Sequence, residues 1–110
     1  MVRKIPTKEV LIPISENARL RLKLFRKRIK GLVNFVNQLE ICYKGKWQPV
    51  VRYNCAHGFV HRDIYSPTGK QKRKEILGKF KNLKEAVILS DKDLRNNYED
   101  YIERFKRNKL

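Results

Sequence analysis

The stretch Ser15–Gly31, SENARLRLKLFRKRIKG, decides how the chain is built, because two periodicities compete within it. Ala18, Leu22, Phe25 and Ile29 recur at helical spacing, with Ser15 where a helix starts and Gly31 where one stops. Leu20, Leu22 and Leu24 also alternate as a strand would. The caps and the wider spacing predict a helix over residues 16–30. Its polar positions are Arg19, Arg21, Lys23, Arg26, Lys27, Arg28 and Lys30. With so few acids nearby, such a segment is a phosphate-contacting arm rather than a solvated face, since neutralising phosphates releases counterions and needs no sequence code.

Working outward, the whole chain shares this bias. Its 110 residues carry 27 Lys and Arg against 11 Asp and Glu, a net formal charge of +16. Residues 1–31 hold ten basic and two acidic side chains, half of that excess. Like charges oppose compaction, so the surplus points to a polyanionic partner, with RNA favoured, and not to a requirement of folding. No apolar run is long enough for a membrane span, and the first residues, MVRKIPTKEV, contain no apolar core for export, so a cytoplasmic protein is expected. Two cysteines, Cys42 and Cys55, exclude a disulfide scaffold and a zinc finger. The expected organisation is one domain over 1–110: a basic segment 1–31, a sheet 32–77 and C-terminal helices 78–110.

After Gly31 the pattern turns to strands: residues 32–43, 47–55, 59–65 and 70–77, joined by Lys44-Gly45-Lys46, His57-Gly58 and Ser66-Pro67-Thr68-Gly69. Asn82 with Glu85 opens a short helix to Leu89, and Ser90 with Asp93 opens a second, carrying the apolar stripe Leu94, Tyr98, Tyr101, Ile102 and Phe105. The expected fold is therefore α+β: a four-stranded antiparallel meander, an N-terminal basic helix, and two C-terminal helices packed on one face.

Register decides which side chains share a face. A two-residue His57-Gly58 turn pairs Arg52 with Asp63 and Asn54 with His61, leaving Val51, Tyr53, Cys55, Val60 and Ile64 on an apolar face that also holds Arg62. A three-residue Lys44-Gly45-Lys46 loop then puts Gln38 and Glu40 on the polar face. Across the next turn Asp63 meets Lys72 and His61 meets Lys74, so Lys70, Lys72 and Lys74 rim that face, with Tyr65 at its edge. Cys42 and Cys55 fall on opposite faces and do not pair.

Glu40, Arg52, His57, His61 and Asp63 are the candidate catalytic residues. A carboxylate or imidazole can take a 2′-hydroxyl proton, an arginine can stabilise charge on phosphate, and a second acid can protonate the leaving oxygen. The plain structural alternative is a cross-strand Arg52–Asp63 ion pair beside a hydrogen-bonded His61. His57, His61 and Asp63 have a ligand-like spacing, but the surrounding lysines repel a divalent cation, so no metal and no cofactor are expected. His61-Arg62-Asp63 matches the opening of a kinase catalytic loop, yet the following Asn is missing and the chain is far too short.

Arg52-Tyr53-Asn54-Cys55-Ala56-His57-Gly58-Phe59-Val60-His61-Arg62-Asp63 resembles the core of an uncharacterised bacterial and archaeal family reading R-Y-D-x-A-H-G-x-x-H-x-D. Asp93-Leu94-Arg95-Asn96-Asn97-Tyr98-Glu99-Asp100-Tyr101 is similar to its D-I-x-x-N-W-x-x-Y stretch, with Tyr98 in the Trp place. The pattern more distantly resembles TumE-type toxins of toxin–antitoxin pairs. The resemblance implies a compact α+β protein acting on RNA, held by an acidic antitoxin, with Arg52, His57, His61 and Asp63 at motif positions. Asn54 departs from the family's aspartate and cannot act as a base. Two functions follow as alternatives: a toxin-like RNA-binding protein or metal-independent endoribonuclease, and a non-catalytic nucleic-acid-binding module or basic subunit of a larger assembly.

Overall fold

The computed structural model describes residues 5–56 and 58–107. Six antiparallel strands, β1 (Lys8–Ser15), β2 (Ala18–Lys27), β3 (Gly31–Tyr43), β4 (Lys46–Ala56), β5 (Phe59–Tyr65) and β6 (Gln71–Gly78), pair in chain order as one meander sheet. A single helix, α1 (Leu83–Arg107), packs across β3 and β4 on one face. This corrects the expectation of four strands, an N-terminal helix and two C-terminal helices.

The predicted N-terminal helix is the strand β2, and the alternation of its leucines is what counts. Ala18, Leu20, Leu22 and Leu24 stand beside Ile41, Leu39, Asn37 and Phe35 of β3, and Ala18, Leu20 and Leu24 of this alternating set join or pack against the core. A helix would have left β3 without this neighbour. On its other side β2 pairs with β1, an edge strand where Pro13 is tolerated because a ladder donor is dispensable there. Gly31, read as a helix stop, has φ +72° and closes the β2–β3 hairpin behind the three residues Arg28, Ile29 and Lys30. The left-handed backbone serves either ending, which is why the glycine alone could not choose between them.

The predicted break between two C-terminal helices is absent. Asn82 does start α1, its Oδ1 accepting from the Lys84 amide at 2.9 Å. Ser90 is no cap. It sits buried in mid-helix, where its hydroxyl donates to the Val87 carbonyl at 2.7 Å and accepts from Asn37 Nδ2 at 3.0 Å. That contact joins α1 to the middle of β3.

Two turns also differ. Lys44 and Gly45, with φ +54° and +78°, form a two-residue hairpin between Tyr43 and Lys46, not a three-residue loop. A bulge between Leu39 and Glu40 then restores Leu39 opposite Val51 and Gln38 opposite Arg52, so both faces keep the predicted occupants. At the β5–β6 turn the Lys70 carbonyl accepts from the Ser66 amide at 3.1 Å, and this turn together with a one-residue bulge at Ile64/Tyr65 moves the pairing two residues from the expected register. Asp63 therefore faces Lys74 and His61 faces Ile76, in place of Lys72 and Lys74.

Besides the Asn37–Ser90 pair, the core between sheet and helix holds one polar network. Arg62 points under α1, donating to Glu75 at 2.6 Å and lying 3.4 Å from Asp93, which accepts from Tyr53 at 2.5 Å and from Tyr101 at 2.6 Å. Burial raises the Asp93 carboxyl, but the tyrosine and Asn97 hydrogen bonds and Arg62 more than offset it, so it lies below its usual range. Burial and that carboxylate push the Tyr53 hydroxyl up to about 12. Cys42 and Cys55 are both free thiols. Among the described residues no helix is long and apolar enough to cross a membrane.

Candidate nucleic-acid interface

α1 roofs one face of the sheet, and among the described residues no element covers the other. Strand alternation gives that open face Arg19, Arg21 and Lys23 from β2, Gln38 and Glu40 from β3, Trp47, Arg52 and Asn54 from β4, Phe59, His61 and Asp63 from β5, and Lys74 and Ile76 from β6. Glu40 and Asp63, each 5% exposed, are buried although no layer lies above them, Glu40 beneath the Arg19 and Arg21 side chains that bond to it.

Glu40 is the hub. Its Oε1 accepts from Arg19 Nε at 2.8 Å, and its Oε2 from Arg21 Nε at 2.8 Å and Gln38 Nε2 at 2.5 Å. Burial raises its carboxyl, yet these bonds outweigh that and hold it below the usual range. It stays ionised and fully committed, which suits a clamp and not a proton shuttle. Arg21 also reaches Glu9 on β1. Arg19 lies 3.9 Å over the Trp47 ring, and Trp47 is 41% exposed.

The second cluster centres on Arg52. Its Nε donates to Gln38 Oε1 at 2.6 Å, and its guanidinium sits 5.4 Å over the Tyr65 ring. Asp63 is directly opposite on β5, but its Oδ2 accepts instead from Asn54 Nδ2 at 3.0 Å. The expected Arg52–Asp63 ion pair is absent among the described residues. Asp63 Oδ1 and His61 Nδ1 are both buried with no hydrogen-bond partner among them. Burial raises the Tyr65 hydroxyl, moderated by Arg52.

Arg52, His61, Asp63 and Glu40 thus share one face, with Glu40 tied to the β2 arginines. His57 lies outside the described residues, as does the side chain of Lys72. Lys70 is exposed in the turn, and Lys74 is exposed opposite Asp63. The predicted basic arm is divided. Arg19, Arg21 and Lys23 join the open face, while Arg26, Lys27, Arg28 and Lys30 are exposed at the β2–β3 hairpin end. There Arg26 and Lys30 line a cleft of about 440 Å³ with Lys81 and Lys84, two lysines that sequence reasoning passed over; their flanking of the Asn82 cap was the available signal. Trp47 was passed over too: the expected three-residue loop pairs it with Tyr43 on the apolar face, whereas the two-residue hairpin sets it opposite Cys42 on the open one. Among the described residues no cluster of three or more His, Cys, Asp or Glu side chains could hold a metal.

A six-stranded meander with one roofing helix and an unroofed face of arginines, aromatics and buried carboxylates defines a small α+β protein with one open sheet face. The chain belongs to the family described as Domain of unknown function (DUF7718), whose model matches residues 5–110. No curated protein and no solved structure matches it.

Proposed function

We propose that the protein binds RNA in single-stranded form across the open face of its sheet. The observation that carries this reading is a cation paired with an exposed aromatic ring on an uncovered surface, Arg19 over Trp47, beside Arg52 held over the buried Tyr65 ring, in a chain of net charge +16. Bases stack on aromatic rings and guanidinium planes while the phosphates follow the cations, and a flat sheet face accepts splayed bases that a duplex would withhold. The acidic antitoxin implied by the toxin resemblance would compete for the same cations. The cytoplasm is the expected setting, consistent with two free thiols in the folded chain.

The test is fluorescence anisotropy of a labelled single-stranded RNA over a salt series. About five phosphate contacts would give a slope of log affinity on log salt near −3.5. Affinity without salt dependence, or equal affinity for a duplex of the same length, overturns the reading.

A second reading, a metal-independent endoribonuclease, is favoured by one observation. His61 Nδ1 and Asp63 Oδ1 lack partners on the same face as Arg52, leaving an imidazole and a carboxylate with proton-transfer capacity unspent. Incubation with RNA in the presence of a chelator tests it: cleavage ending in 2′,3′-cyclic phosphate and lost in His61→Ala supports the enzyme, and intact RNA leaves the binding module.

A further inference from the structure

Buried polar atoms are almost always hydrogen-bonded, and each exception needs an explanation. Two of the three exceptions here, Asp63 Oδ1 and His61 Nδ1, stand two residues apart on β5 and point to the same open face. Asp63 is 95% buried, as its 5% exposure states, and its other oxygen is held by Asn54. Arg52, opposite Asp63, has committed Nε to Gln38, and makes no ion pair among the described residues. Beside His61 the apolar side chains of Phe59 and Ile76 are 39% and 65% exposed.

We infer that Arg52, Asp63 and His61 form a base-reading subsite for guanine within the RNA-binding face. The inference rests on the RNA-binding reading and specifies which base that face selects. Arg52 offers donors; Asp63 Oδ1 is an acceptor, and a neutral imidazole protonated on Nε2 makes His61 Nδ1 a second. The order donor, acceptor, acceptor across β4 and β5 complements the Watson–Crick edge of guanine, which presents the O6 acceptor and then the N1–H and N2–H donors. Uracil places its single donor between two acceptors, while adenine and cytosine set one amino group beside ring acceptors. Each of these would bring an acceptor against Asp63 or His61 and leave a buried atom unpaired, the circumstance in which hydrogen-bonding sites discriminate most strongly. Phe59 and Ile76 supply apolar surface for the ring, and Lys79, whose ammonium lies 5.1 Å over the Phe59 ring, supplies charge for its phosphate.

The experiment measures binding of the full chain to U9, U4-G-U4, U4-A-U4 and U4-I-U4 oligoribonucleotides at one fixed salt concentration. The central guanine should bind at least about tenfold tighter than adenine or uracil, the scale of one mismatched base. Inosine, which keeps O6 and N1–H but lacks the N2 amine, should fall between. Asp63→Asn, with folding checked by circular dichroism, should reduce the guanine preference, read as the ratio of U4-G-U4 to U9 affinity in the same variant, to twofold or less. If the wild type binds U9 with the expected salt dependence and shows no guanine preference, this inference fails and RNA binding stands. If none of the four oligonucleotides binds, RNA binding fails and takes the inference with it. Should Asp63→Asn not fold, the four wild-type affinities still decide between these outcomes, and an Asp63→Asn protein that folds and keeps the full preference also overturns the subsite.

Discussion

Arg52 and Asp63 face each other directly across β4 and β5, yet each bonds to a different neighbour: Arg52 to Gln38 along the sheet, and Asp63 to Asn54 on the adjacent strand. Opposite charges in that position ordinarily pair. Here the pairing is relinquished, and both groups keep unspent hydrogen-bonding capacity on an uncovered surface. An arginine whose Nε is anchored by an amide and whose guanidinium lies near a tyrosine ring is held in place with no ion-pair partner among the described residues, a geometry suited to recognition more than to cohesion.

Arg52→Ala should therefore weaken RNA binding more than it weakens the fold. Removing it leaves Gln38 Oε1 without its donor, a cost of about 1 kcal/mol. It also removes a phosphate or base contact and the cation on Tyr65, together on the order of tenfold in affinity. Urea denaturation and anisotropy on the same preparation check both numbers, and a stability loss of several kcal/mol with unchanged affinity would assign Arg52 to the scaffold.

The Asn37–Ser90 hydrogen bond ties sheet to helix in a place where both residues are almost fully buried. Ser90→Ala leaves the Asn37 amide without an acceptor and should cost about 1–3 kcal/mol. Asn37→Leu combined with Ser90→Ala removes both polar groups together and should cost less than the sum of the single changes. A double-mutant cycle by chemical denaturation measures this coupling, and strict additivity would mean that the contact contributes nothing.

What the sequence disclosed and what it concealed follow from the range of each signal. Register from Arg52 to Asp63 was legible because an error of one residue would have exposed Val51, Tyr53 and Val60 together, and the short His57-Gly58 turn leaves little choice. Strand β2 was not legible as such. Its leucines satisfy both periods in part, and the deciding fact, β1 and β3 flanking it on either side, is tertiary. β1 escaped notice because KEVLIPIS carries Pro13, a residue that argues against a strand except at an edge. Ser90 and Asp93 imitate a helix start, but a serine can bond back to a carbonyl within a helix, and its true partner, Asn37, lies 53 residues away. The same distance effect hid Arg62. On a two-strand view it is a charge misplaced on the apolar face, and only α1, bringing Asp93 and Tyr101, gives it a purpose.

That network sets the pH limits of the fold. Asp93, Glu40 and Glu75 have folded-state values below their ordinary ones, so their stabilisation is complete above the unfolded values of 3.8 for Asp and 4.5 for Glu and is lost as pH falls through them. Tyr53 is shifted the other way, from 10.0 up to about 12, so its contribution is complete below pH 10 and lost as pH rises from there to 12. Stability should thus form a plateau between about pH 5 and pH 10, falling on both sides. Tyr53→Phe should flatten the alkaline fall and leave the acid one in place. An unchanged alkaline slope in that variant would mean that Tyr53 does not set the high-pH limit and would assign it to Tyr101, whose hydroxyl is also pushed up by burial and the same carboxylate.

The most informative single change is Glu40→Gln. One carboxylate currently accepts from Arg19 and Arg21 and so offsets one of their two positive charges at the centre of the open face, occupying the place a bound phosphate would take. Glutamine keeps the shape and one acceptor oxygen but removes the charge, so the arginines keep their places and lose their internal counterion. Stability should fall by about 1–2 kcal/mol, at the low end for a broken charged cluster because Arg19 and Arg21 remain 21% and 26% exposed and regain water. RNA affinity at low salt should rise about three- to tenfold. The salt slope should steepen by about 0.7 for each arginine newly engaged with a single-stranded phosphate. Glu9→Gln is the matched control: it frees only the outer side of Arg21, leaves Arg19 bound to Glu40, and should change the slope by half as much or less. If Glu40→Gln instead weakens binding while the protein stays folded, the two arginines serve RNA only in the posture that Glu40 imposes on them, and the carboxylate belongs to the binding surface as its template rather than its competitor.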